Sequence, residues 1–152
     1  MQKLILVITF LLISPTAWAF TTTQVTNNSI DDRLPSLHNG TIAWFGDDGN
    51  DDEIYYWDGT TITQITNNSI DDWTPSLHNG TMAWYQHQGT SDTDIYYWDG
   101  STISQITNDS IPDGDPSLYN GTIAWHGRNS AIAYELGIYV NHGVDTALQI
   151  HG

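Results

Sequence analysis

Short runs of β-branched and aromatic residues alternate with small polar residues along most of the chain. Between residues 32 and 66 the runs read PSL, TIAW, EIYYW and TTITQIT, separated by Asn, Asp and Gly. Such runs are typical of β-strands. No window after residue 19 shows the 3.6-residue periodicity of an amphipathic helix, so the pattern predicts an all-β fold.

Two dipeptides within this stretch predict tight turns. Asn39-Gly40 joins the first two runs, and Asp58-Gly59 joins the last two. A two-residue type I′ turn needs positive φ at both central positions, which Asn, Asp and Gly tolerate. The stretch is therefore predicted to form four short antiparallel strands.

The same unit occurs three times. Trp84 follows its counterpart Trp44 by 40 residues, and Trp125 follows Trp84 by 41. Four-stranded units of roughly 40 residues that stack around an axis are β-propeller blades, and we expect these tryptophans in the core between blades. The predicted blades cover residues 34–66, 74–107 and 115–150, and a lone strand is predicted over residues 21–26.

Three blades are too few to close a ring, because closed propellers have about four to eight. Either further C-terminal blades belong to a longer protein, or two chains assemble as a homodimer into a six-bladed ring. Repeat arrays usually end in an atypical polar cap, which favours the longer protein, whereas the divergent third unit is weak evidence that the array ends there. The expected architecture is thus a partial propeller or half of a dimeric ring.

Residues 1–19 have the pattern of a secretory signal peptide. Lys3 precedes an apolar run, and a small-x-small cleavage site ends at Ala19. A membrane anchor needs about 20 apolar residues, whereas Ser14 interrupts this run earlier. The sequence predicts export to the periplasm or the cell exterior, with a mature domain of residues 20–152 that is not inserted in a membrane.

The composition is strongly acidic. The chain has 18 Asp and Glu against 3 Lys and Arg, and its net charge of −15 becomes −16 once Lys3 leaves with the signal peptide. Nucleic acids and anionic membranes are bound chiefly through Lys and Arg, so this composition excludes both as partners. It suits cations and basic partners instead.

The repeated unit resembles the TolB-type β-propeller repeat, which is itself WD-like. The resemblance implies a propeller fold and, in most such proteins, a periplasmic or secreted module that binds other molecules. Related propellers are attached to hydrolases or act as lyases, so a partial propeller of a polysaccharide lyase or hydrolase is the alternative function. The matching residues of the first unit are Asp32, Pro35, Gly40, Ile42, Ala43, Trp44, Ile54, Tyr55, Asp58, Gly59, Ile65, Thr66 and Asn67.

Catalysis is not predicted from the residues themselves. The chain has no Cys, and no Ser stands in a nucleophile-elbow context. Repetition places like residues at equivalent positions, whereas a catalytic centre needs a few unlike residues that converge once.

Propeller topology separates the acidic residues. The loops between second and third strands and the blade-to-blade connections lie on one side, which we call the connection face. All but three of the 18 acidic residues fall there, and only Asp58, Asp99 and Asp145 fall on the opposite, turn face. A protein, peptide or glycan ligand is therefore expected on the connection face.

The blade-to-blade connections supply the candidate ligand-binding residues. Trp73 stands at a position that is Arg33 in the first unit and Gly114 in the third, and its indole could stack on a sugar or peptide. The Asp that precedes each blade also has a structural interpretation, as an acceptor for backbone N–H groups of the connection. The candidate ligand-binding residues are Asp31, Asp32, Asp71, Asp72 and Trp73.

The acidic loop of the first unit is a candidate calcium site. Ca²⁺ takes six to eight oxygen ligands, many of them carboxylate, but the spacing fits neither the EF-hand nor the nonapeptide calcium repeat. The alternative is a solvated loop in which Asp and Asn form turns. The candidate ligands are Asp47, Asp48, Asn50, Asp51, Asp52 and Glu53.

Overall fold

The computed structural model describes residues 21–87, 89, 92–128 and 136–142, which form three antiparallel sheets and contain no helix. Each sheet is one blade, so the predicted all-β fold of propeller blades is confirmed. Blade one consists of β1 (Asp32–His38), β2 (Thr41–Asp47), β3 (Asp52–Trp57) and β4 (Ile62–Gln64). Blade two consists of β5 (Asp72–His78), β6 (Thr81–His87), β7 (Thr93–Trp98) and β8 (Ile103–Gln105). Blade three consists of β9 (Asp113–Tyr119), β10 (Thr122–Arg128) and β11 (Leu136–Asn141).

The first hairpin turn of each blade has the predicted conformation. Asn39 and Gly40 have φ angles of 48° and 78°, as a type I′ turn requires. The second turn differs from the prediction, because only Gly59 has positive φ and the loop between β3 and β4 is longer. There the Asp58 carboxylate accepts hydrogen bonds from the backbone N–H groups of Thr60 and Thr61, both at 2.7 Å. These bonds fix the turn and lower the pKa of Asp58.

The first strand of each blade begins three residues before the predicted run, at Asp32 rather than Pro35 in blade one. It contains a bulge, seen in blade one as a register shift between Arg33 and Ser36, with Leu34 at a φ of 45°. A bulge inserts one unpaired residue and bends the strand. The residues before the bulge therefore do not continue the alternation of apolar and polar side chains by which a strand is predicted. Residues 21–26, predicted as a lone strand, pair with no other strand in the described part of the chain. The predicted signal peptide and the predicted last strand over residues 145–150 lie outside the described residues.

The blades pack face to face, with their first strands adjacent and their fourth strands outermost. One buried cluster joins blades one and two and includes Ile54, Met82 and Trp84. A second joins blades two and three and includes Ile95 and Trp125. The repeated tryptophans Trp84 and Trp125 therefore lie between blades, as predicted.

The bulge at Leu34 gives a prediction about stability. A side chain at positive φ costs roughly 1–2 kcal/mol, and Leu34 is exposed, so its side chain offsets little of that cost. We expect Leu34→Gly to raise the free energy of unfolding by about 1 kcal/mol relative to Leu34→Ala, measured by urea denaturation. The Ala variant is the control, because it removes the same side chain but keeps Cβ. Equal stability of the two variants would contradict the argument.

Candidate functional site

The acidic residues are segregated as the sequence predicted. Glu135 and Asp145 lie outside the described residues, and of the remaining acids only Asp58 and Asp99 lie at the turn face. The others lie at the strand ends and loops of the connection face. The connection face is therefore strongly negative, and the candidate site is sought there.

In blades one and two, the Asp that begins the first strand accepts a hydrogen bond from a tryptophan of its own blade. The Trp44 Nε1–H donates to Asp32 Oδ1 at 2.7 Å, and the Trp84 Nε1–H donates to Asp72 Oδ1 at 2.7 Å. Both bonds come from an indole N–H rather than from the backbone N–H groups expected from the sequence. A buried indole N–H can only donate and needs an acceptor, which the Asp twelve residues earlier supplies.

Asp72 belongs to the core rather than to a ligand surface. It is fully buried, as is Glu53, and it also accepts from Gln86 Nε2 at 3.1 Å and Asn68 Nδ2 at 2.9 Å. Burial is the main cause that raises the pKa of Asp72 to about 7, and the neighbouring charge of Glu53 adds to it. Burial likewise raises the pKa of Glu53. The candidate role of Asp72 in ligand binding is therefore replaced by a structural one.

The other predicted aspartates do not converge on one point. Asp31 is exposed and pairs with the Arg33 guanidinium at 3.2 Å. Asp32 is exposed and holds Trp44. Asp71 accepts the backbone N–H of Asp52 at 3.1 Å and so ties the connection to β3. These residues shape the negative surface but do not form a shared pocket.

Trp73 is half-buried, although the sequence suggested an exposed indole. Its Nε1–H donates to Asp52 Oδ2 at 2.8 Å. Its ring meets the edge of Tyr85 at 5.8 Å between centroids and lies 5.4 Å from the ring of His87. The indole is therefore held in a fixed orientation between blades.

A cavity of about 300 Å³ opens beside Trp73, at the junction of blades two and three. Its walls combine aromatic rings with carboxylates, and on the blade-three side Asp115 Oδ2 lies 3.6 Å from His126 Nδ1. The cavity is lined by Trp73, Tyr85, Thr93, Pro112, Asp113, Gly114, Asp115 and His126. Of these, only Trp73 was predicted to bind a ligand.

The cavity depends on the glycine at the variable position. At the preceding junction that position is Trp73, whose side chain fills the space; at the cavity it is Gly114, which has none. A Cβ on Gly114 would lie 3.2 Å from the His126 ring. The sequence shows that this position varies between units, as Arg33, Trp73 and Gly114. That the variation opens a cavity could be seen only from the packing of neighbouring blades.

Three residues of the acidic loop converge. Asp48, Asp51 and Glu53 each offer a carboxylate oxygen, and these oxygens lie within 4.8 Å of one another. Asp51 Oδ2 and Glu53 Oε2 are buried without a hydrogen-bond donor. Asp48 accepts from Asn50 N at 3.0 Å and, more weakly, from Gln64 Nε2 at 3.3 Å.

The remaining candidate calcium ligands are engaged elsewhere. Asp47 Oδ1 accepts the backbone N–H of Gly49 at 2.7 Å, and the Asn50 side chain donates to Asp51 Oδ1 at 3.2 Å. Asp52 accepts from Trp73 and lies 3.7 Å from the Arg33 guanidinium. The loop thus presents three carboxylates to one point, rather than the six ligands expected from the sequence.

Burial of Asp72 gives a prediction about pH. Its folded-state pKa lies above the unfolded value, so its contribution to stability is fully present below about pH 4 and is lost as the pH rises through about 7. The loss should be on the order of 2–4 kcal/mol. We expect Asp72→Asn, which keeps an acceptor for Trp84, to flatten the decline of unfolding free energy between pH 4 and pH 8, measured by urea denaturation with EDTA present.

The matched control for this measurement is Asp32→Asn. Asp32 makes the same bond to its tryptophan in blade one but is exposed, so its variant should keep the decline seen in the unaltered protein. A decline in Asp72→Asn as steep as that of the unaltered protein would rule out the explanation.

The sequence matches no known family model and no curated protein. The fold is similar to the β-propeller domain of the Trilobed protease from Pyrococcus furiosus, described as having an open velcro topology, with a TM-score of 0.54 and 14% identity over 65% of this chain and 34% of that chain. A Pyrococcus horikoshii acylaminoacyl peptidase gives a TM-score of 0.46 with 13% identity over 65% of this chain. This chain spans 18% of the length of that peptidase.

Within the described residues, no helix is long and apolar enough to cross a membrane. The likeness to the first of these structures shows the fold, and the chain is built of β-propeller blades.

Proposed function

We propose that the protein is an exported propeller module that binds a cationic segment of a peptide or protein on its connection face. Export rests on the N-terminal pattern of Lys3, apolar run and Ala19. The similarity of the repeat to TolB-type units supports a role in binding rather than catalysis. The observation that carries the proposal is the cavity beside Trp73.

The walls of this cavity suit a Lys or Arg side chain. The faces of Trp and Tyr attract cations through the ring quadrupole, at roughly 0.5–2 kcal/mol per contact. Asp113 and Asp115 supply negative charge at the same place, and Asp113 is itself buried. Burial raises the pKa of Asp113, so a bound cation would stabilise its ionised form. The acidic surface around the cavity would attract a basic partner before contact.

The histidines that end the first strands of blades one and two, His38 and His78, make structural contacts between blades. His38 Nδ1 accepts the backbone N–H of Asn79 at 3.1 Å, and its ring lies 4.2 Å from that of His78. His78 Nδ1 accepts from Asn120 N at 3.2 Å. The binding function is therefore preferred to the lyase or hydrolase alternative.

A labelled hexalysine peptide provides the test, with binding followed by fluorescence anisotropy at two salt concentrations. We expect binding that weakens as salt rises. Gly114→Trp, which places in the cavity the residue found at the preceding junction, should weaken binding at least about tenfold. Asp115→Asn should weaken it by a smaller factor, because one carboxylate of the wall is neutralised.

The charge control is Asp99→Asn on the turn face, which removes one negative charge without touching the cavity. It should leave hexalysine affinity within about twofold. Equal losses from Asp99→Asn and Asp115→Asn, or no loss from Gly114→Trp, would show that any binding is general charge attraction. Binding of a neutral hexasaccharide in place of hexalysine would favour the glycan alternative and exclude the proposed ligand.

Calcium binding by the acidic loop is a second candidate function. The observation that favours it is the pair of buried carboxylate oxygens without donors, Asp51 Oδ2 and Glu53 Oε2, which face Asp48. Blade two lacks the pair: Asp92 Oδ1, at the place of Asp51, is likewise without a donor, but Asp94, at the place of Glu53, accepts from Gln105 Nε2 and Thr107 Oγ1 at 3.0 and 3.2 Å. A hard divalent cation could satisfy the loop oxygens, with water completing its coordination.

Calorimetric titration with CaCl₂ tests this second function. We expect one calcium site and an affinity at least about tenfold lower in Asp51→Asn, because one of the three convergent carboxylates is lost. Asp47→Asn is the matched control, since Asp47 is an exposed neighbour that does not face the site. Absence of a titratable site, or equal losses in the two variants, would exclude calcium here.

A further inference from the structure

Each junction between blades joins two unlike sheet faces. We call the face turned to the preceding blade the leading face, and the face turned to the following blade the trailing face. At the first junction, Ile54 on the trailing face of blade one and Leu77 on the leading face of blade two belong to one buried cluster. At the second junction, Ile95 and Leu118 occupy the equivalent places.

The leading face of blade one has no such neighbour among the described residues. Leu37 is the repeat equivalent of Leu77 and Leu118, since each lies one residue before the end of its blade's first strand. Leu77 and Leu118 are 5% and 6% exposed, whereas Leu37 is 70% exposed. Leu37 therefore stands where an interface residue stands in the other two blades, but no described part of the chain covers it.

The trailing face of blade three is open in the same way. Ile138 is the repeat equivalent of Ile54 and Ile95, because it lies on the third strand beside the tyrosine that pairs with the blade's central tryptophan. Ile54 and Ile95 are 0% exposed, whereas Ile138 is 78% exposed. Val140, two residues later on the same face, is exposed as well.

Hydrogen bonds from a backbone N–H to a serine hydroxyl join neighbouring first strands, and they have no counterpart at the two outer faces among the described residues. Leu77 N donates to Ser36 Oγ at 2.9 Å, and Leu118 N donates to Ser76 Oγ at 2.9 Å. Within the described residues, the N–H of Leu37 has no corresponding serine. Ser117 is the equivalent of Ser36 and Ser76 in blade three, and the part of the chain that the structure describes holds no further first strand to donate to it.

We infer that the leading face of blade one binds the trailing face of blade three of a second copy of this chain. Both halves of the missing junction are present on one chain, and each is the repeat equivalent of a surface that already binds the other twice. Two copies joined in this way have two equal junctions related by a twofold axis. They give six blades, within the four to eight of closed propellers, whereas three copies would give nine.

Light scattering of the purified, processed protein after size-exclusion chromatography tests the inference. We expect twice the monomer mass for the unaltered protein and the monomer mass for Leu37→Asp and for Ile138→Asp. Leu34→Asp is the control, because Leu34 is also exposed on β1 but its counterpart in blade three is already Asp115. That variant should remain a dimer.

Mixing the two interface variants separates a lost interface from a misfolded chain. A Leu37→Asp chain keeps an intact trailing face, and an Ile138→Asp chain keeps an intact leading face. One complete junction can then form, so the mixture should contain a heterodimer that neither variant forms alone. Its detection would support the inference.

The inference would be overturned if the unaltered protein were a monomer or formed open oligomers that grow with concentration. It would also be overturned if the mixture formed no heterodimer, or if Leu34→Asp dissociated the dimer. A native protein whose mass shows further blades in the same chain would also overturn it, since those blades would then cover both faces.

Discussion

Apolar sheet faces that are buried between neighbouring blades hold this protein together. The chain has no cysteine to cross-link it, and a sheet of three or four strands cannot bury both of its faces alone. Ile54 and Trp84 become fully buried only because two blades meet. The turns fix the register of the strands, and the bulges shape the first strands, so that these faces fit.

The same packing brings carboxylates into the interior. Glu53, Asp72 and Asp94 are nearly or fully buried at the connection side of the blades. Amide, hydroxyl and indole donors satisfy the carboxylates of Asp72 and Asp94, whereas Glu53 keeps one oxygen without a donor. The acidic face is thus not simply a solvated surface, since part of its charge is tied to the junctions and part remains free for a partner.

The repeat in the sequence was sufficient to predict the fold, the first hairpin turns and the tryptophans of the core. It could not distinguish Asp72 from Asp32, because the two residues have the same place in the unit. Their difference in burial comes from the preceding blade, which covers Asp72 alone. For the same reason the cavity was not predicted, since a glycine at position 114 becomes an opening only when Trp73 of the preceding blade stands beside it.

The hydrogen bonds along the row of first strands also bear on how the number of blades changes in evolution. Ser36 and His38 accept bonds from blade two, and blade two offers the equivalent acceptors, Ser76 and His78, to blade three. Each unit therefore carries both halves of a junction within one continuous stretch of gene. Duplication or deletion of a whole unit leaves every remaining junction matched, so the number of blades can change in a single genetic step without any new surface being invented.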